Sequence, residues 1–181
     1  NGLAAARRGD AAAAKAAAET IAALVGQPDR HPFAQRIIRI QAAEARAVAA
    51  WAAGDTTGAL AGMGEATALE DSISAPSQPP YPIIPAHELY GEMLLQMNRP
   101  AEARKHFEET LRRTPGRPKV VYGLARAAAV LGDRQAATAR YTEFLELLVS
   151  DELARRRDRL FARRLKAARV PQIKTLENFD W

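Results

Sequence analysis

Asn98-Arg99-Pro100-Ala101-Glu102-Ala103-Arg104 and Gly132-Asp133-Arg134-Gln135-Ala136-Ala137-Thr138 are two copies of one turn, 34 residues apart. At that offset Tyr90 falls on Leu124, Gly91 on Ala125, Ala103 on Ala137, Phe107 on Tyr141 and Leu111 on Leu145. Each copy has a small residue on the helix before the turn and another just after it, as close helix crossing requires. An aromatic follows one turn later, and the spacing predicts that Phe107 and Tyr141 act as wedges between helices. Pro115 stops the second helix of the first copy, because proline lacks the N–H and disfavours helix in the residue before it.

The turn recurs upstream as Gly9-Asp10 and Gly54-Asp55, so the four turns are spaced by 45, 44 and 34 residues. The longer intervals hold extra chain at 27–31 and in a Pro-rich loop at 74–82. Apolar spacing predicts helices at 11–25, 33–53, 56–73, 86–97, 100–113, 118–131 and 134–148, with a closing helix at 151–169. The second helices are expected to stack side by side.

Two helical patterns per unit of about 34 residues resemble the tetratricopeptide repeat, in a bacterial style. The resemblance implies an all-α fold: a right-handed α-solenoid of tetratricopeptide-like helix–turn–helix repeats with a C-terminal capping helix. It divides the chain into a repeat array at 1–150, a basic capping helix at 151–170 and an irregular acidic-aromatic tail at 171–181. The chain opens inside a repeat, so an upstream segment is expected.

Composition agrees with an all-helical chain. Alanine is abundant, and it has the best intrinsic helix propensity. There is no cysteine, which removes disulfides and thiolate metal sites. No run of 18 apolar residues exists to span a membrane, and no signal peptide is visible, so a soluble protein is expected, cytoplasmic or periplasmic. The net charge of +5 is concentrated: residues 151–169 hold eight Arg or Lys against three Asp or Glu. Leu160, Phe161 and Leu165 are expected to pack back on Tyr141, Leu145 and Leu148, with the arginines outward.

No catalytic, cofactor-binding or metal-ligating pattern emerges. His31, His87 and His106 have no second His at ligand spacing, and no Gly-rich phosphate loop is present. The expectation is a non-enzymatic chain. The resemblance implies a protein–protein interaction scaffold that holds a peptide or partner protein on its concave face. The alignment places Glu44, Val48, Trp51, Glu88, Glu92, Leu95, Tyr122, Arg126 and Val130 there. Its glutamates disfavour a peptide carboxylate and suit a basic or mixed-charge ligand with an apolar anchor. The alternative, binding of nucleic acid or an anionic membrane surface by the Arg-rich helix, carries less weight because few aromatics interleave with the arginines.

Overall fold

A computed structural model describes residues 2–27, 31–74 and 84–168, and among them there are eight α-helices and no strand. They are α1 (Gly2–Arg7), α2 (Ala11–Ala22), α3 (Pro32–Ala52), α4 (Thr56–Asp71), α5 (Ala86–Gln96), α6 (Pro100–Arg113), α7 (Pro118–Val130) and α8 (Arg134–Ala167). The expected Pro-rich loop, apart from Ser74, and the acidic-aromatic tail lie outside the described residues.

The four turns share one construction. Gly9, Gly54 and Gly132 have φ of 75°, 82° and 80°, and Asn98 has 56°. This left-handed residue lets the next N–H reach back to a carbonyl five residues earlier: Asp10 to Ala5, Asp55 to Ala50, Arg99 to Leu94, Asp133 to Ala128, at 2.8–3.0 Å. Asp10, Asp55 and Asp133 then cap the following helix, accepting from the N–H of Ala13, Gly58 and Ala136. At the Asn98 turn Pro100 starts α6 and Arg99 forks onto Glu102 instead.

Each helix packs on the next in sequence. The odd helices also touch one another, α1 on α3, α3 on α5 and α5 on α7. The even helices approach less closely, and α4 and α6 meet through side chains at their ends, where Arg113 donates to the carbonyl of Glu70 at 2.8 Å. The expected side-by-side stacking of second helices is thus reduced, between α4 and α6, to side-chain contacts at their C-terminal ends. The helix backbones approach more closely on the odd-helix side than on the other.

Two buried clusters fill it. Ile37, Ile40, Met63, Leu89 and Met93 lead the first, and Leu94, Phe107, Val120 and Leu124 the second. Phe107 is 1% exposed and its ring lies between Gly91 of α5 and Gly123 of α7. A Cβ on Gly91 would fall 2.7 Å from the ring, and one on Gly123 2.6 Å from it. Only glycine on both flanking helices admits the ring at this depth. Tyr141, the expected second wedge, is only half-buried and meets Tyr122 edge-on at 6.0 Å. No later helix covers it among the described residues.

The expected closing helix is not a separate helix. Val149-Ser150-Asp151 contains no breaker, and Asp151–Arg155 and Glu152–Arg156 pairs support the turn that follows. The 34 residues of α8 span about 51 Å, against about 20 Å for the 13 residues of α7. The second half of α8 therefore runs past its neighbour. Leu153, Leu160 and Phe161 are exposed, so the expected packing of Leu160, Phe161 and Leu165 on Tyr141, Leu145 and Leu148 is not formed. One continuous helix cannot fold back on itself.

Phe107→Ala should lower unfolding free energy by about 3–5 kcal/mol, the range for a buried aromatic. Chemical denaturation measures this, and a loss below about 1 kcal/mol would show that the ring is not the wedge described.

Candidate functional site

The odd helices present two hollows on their shared side. The larger, about 700 Å³, lies among α1, α2, α3 and the start of α5, with Leu3, Ile21, Gln41, Glu44, Val48 and Leu89 in its walls. The smaller, about 240 Å³, is bordered by Arg7, Glu92, Leu95, Lys119, Tyr122 and Arg126. The residues expected on the concave face are thus divided. Glu44 and Val48 belong to the first hollow, and Glu92, Leu95, Tyr122 and Arg126 to the second. Trp51 is half-buried against the first core cluster, Glu88 is buried, and Val130 is exposed at the end of α7.

The glutamates do not form an open acidic lining. Arg117 donates to Glu88 at 2.7 Å, and Lys119 lies 3.3 Å from the same carboxylate. Glu92 pairs with Arg7 at 2.9 Å and with Lys119. Glu44 differs, because its Oε1 is buried with no hydrogen-bond partner among the described residues. Burial first, then the charges of Glu70 and Glu88, push its carboxyl well above the usual range, which favours the protonated form.

A second group sits where α4, α5 and α6 converge. His87, in the first turn of α5, has its ring nitrogens on two partners. Nδ1 lies 2.9 Å from Nδ1 of His106, and Nε2 lies 3.1 Å from Oδ1 of Asp71. His106 also stacks on Tyr90, with ring centroids 4.2 Å apart. Burial, then the neighbouring His87, holds the His106 imidazole down to about 4. Glu109 completes the group and is bonded by Arg112. Sequence spacing did not show this group, because its members come from three helices.

The third feature is the free half of α8. Arg156, Arg159 and Arg163 follow one another at steps of three and four and so share a face. With Glu152 and Leu160 they border a shallow recess of about 410 Å³. Glu152 takes Arg156 at 2.7 Å and Arg159 at 3.3 Å. The Arg156 bond holds the Glu152 carboxyl below its usual value. Among the described residues, Arg157, Arg163, Arg164 and Lys166 make no ion pair. Among the described residues, no helix is long and apolar enough to cross a membrane.

Residues 120–181 match a family described as IstB-like ATP binding protein. The matched stretch is about a third of the chain and takes in most of α7 and all of α8. No curated protein matches the chain. The match overturns the tetratricopeptide resemblance, since the second copy of the 34-residue unit lies largely within it. Left-handed turns, small residues at crossings and an aromatic wedge meet a packing need of stacked helix pairs, and they do not identify one family. The match equally corrects the reading of a protein-binding scaffold, with its anionic-surface alternative, and the expectation of a chain with no enzymatic role.

Glu44 gives a pH dependence of definite sign. Above the ordinary carboxylate pKa the unfolded chain has lost this proton while the folded chain keeps it. Stability therefore falls as pH rises through the window between the two values. Glu44→Gln should melt higher than the parent chain at pH 8, with the gap closing toward pH 5. An equal melting temperature at both pH values would contradict a protonated Glu44.

Proposed function

We propose that the chain takes part in ATP binding, in an ATPase-related role, and that the arginine face of α8 contacts the phosphates. The carrying observation is that the stretch similar to an ATP-binding family includes the face bearing Arg156, Arg159 and Arg163. Guanidinium is planar, always charged and matches phosphate oxygens two at a time. Three on one helix face, with Arg163 unpaired among the described residues, suit a polyphosphate better than a single carboxylate. Leu160 in the same recess offers apolar contact to the base.

The 181 residues contain no Gly-rich loop that would cradle phosphates with backbone N–H groups. Side chains therefore supply the anion contacts on this chain, and a nucleotide replaces the peptide ligand. Such contacts are exposed and screened by salt, so each contributes modestly, about 0.2–1 kcal/mol. Three together correspond to roughly 3- to 150-fold in affinity.

Titration calorimetry with Mg-ATP tests this. Arg156→Gln, Arg159→Gln and Arg163→Gln combined should weaken binding about tenfold or more without loss of helicity, because glutamine is a good helix former. The same change in charge at Arg104, Arg112 and Lys105 of α6 should weaken it less than about threefold. Equal weakening by both triple variants, or by neither, would contradict a phosphate-binding role for this face.

A further inference from the structure

We propose that Asp71, His87 and Glu109 form a three-ligand site for a zinc-like divalent transition metal, with His106 orienting His87. This is independent of the nucleotide reading. A carboxylate oxygen from each of Asp71 and Glu109 and a ring nitrogen of His87 lie within 4.8 Å of one another. Each comes from a different helix: the end of α4, the first turn of α5 and the middle of α6. The His87 side chain is 8% exposed and Asp71 51%, so the group opens to solvent on the carboxylate side.

The geometry fixes which nitrogen is available. His106 occupies Nδ1 of His87, which leaves Nε2 on the side of Asp71. A metal-ligating histidine ordinarily engages its other nitrogen in this way, which sets both tautomer and ring orientation. The backbone N–H of His87 also donates to Oε2 of buried Glu70, pinning the start of α5. Around the carboxylates, Arg112 forks onto Glu109, and Nη1 of Arg113 lies 3.6 Å from Asp71. Arg112 engages both Glu109 oxygens and Arg113 faces the same Asp71 oxygen as His87, so a metal would take the place of these cations on the ligand oxygens.

Zinc bonds nitrogen and carboxylate oxygen at about 2.0–2.2 Å, so tetrahedral ligand atoms stand roughly 3.3 Å apart. Nε2 of His87 and Oδ1 of Asp71 are already 3.1 Å apart. Glu109 would close the remainder by rotating out of its fork with Arg112, its side chain being 26% exposed. One imidazole with two carboxylates favours zinc-like ions over calcium and magnesium, which take oxygen ligands. Three protein ligands leave the fourth position to water from the open side.

The test is Co²⁺ titration of the untagged chain, followed by visible absorption, with Zn²⁺ competition. The expected result is one saturable site and displacement of Co²⁺ by Zn²⁺. Asp71→Asn and Glu109→Gln, both at partly exposed positions, should abolish the saturable signal while circular dichroism stays helical. His106→Gln should weaken binding roughly 10- to 100-fold. His31→Gln should leave it unchanged. The absence of a saturable Co²⁺ signal, or full affinity in both carboxylate variants, would overturn the proposal.

Discussion

The packing of one ring, Phe107, between two glycines sets the spacing of α5, α6 and α7. A Cβ on Gly91 or Gly123 would meet the ring below 3.0 Å, closer than packed atoms approach. The ring is large, rigid and buried, and its removal from water contributes roughly 1.5–3 kcal/mol. The flanking glycines carry a helix-propensity cost of about 1 kcal/mol each relative to alanine. The ring's burial and contacts offset that cost only if both helices close onto it. Sequence, helix spacing and core density are tied together at this point.

The two proposed sites depend on that junction. His87 lies one helical turn before Gly91 on α5, and His106 precedes Phe107 on α6. Seating the ring therefore also places the Nδ1 atoms of the two imidazoles 2.9 Å apart. On its other side the ring fixes α7, and the Gly132-Asp133 turn then launches α8. Because α8 is more than twice as long as α7, its second half runs past the packed body with its arginines in solvent. A buried constraint thus leaves a charged helix face open to an anionic ligand.

Much of this was legible in the sequence, where the information was local. Gly-Asp turns name their own backbone conformation and their own cap, and Phe107 stood out as the aromatic one turn after a small residue. Seven of the expected helices lie within three residues of those observed, counting 134–148 as the first part of α8. The continuity of α8 was missed because the reading ended one helix at 148 and began another at 151, although nothing between them breaks a helix. The Asp71–His87–Glu109 group was invisible to spacing rules, which search one helix or one loop at a time. The acidic groove was misread because the cations that pair with Glu88 and Glu92 come from elsewhere, Arg7 on α1, Lys119 on α7 and Arg117 just before it. The tetratricopeptide reading failed for another reason: helix pairs joined by the same turn converge on the same small and aromatic residues.

The most direct measurement of the central claim is a double-mutant cycle between Gly123→Ala and Phe107→Leu, read by urea denaturation. In the parent chain the added methyl meets the ring, so overpacking should outweigh the helix-propensity gain and destabilise. With leucine at 107 the flexible side chain can yield, and the same methyl should be neutral or stabilising. The account predicts a coupling of at least about 1 kcal/mol between the two positions. Additive effects, within about 0.5 kcal/mol, would show that the Phe107 ring does not set the approach of α7.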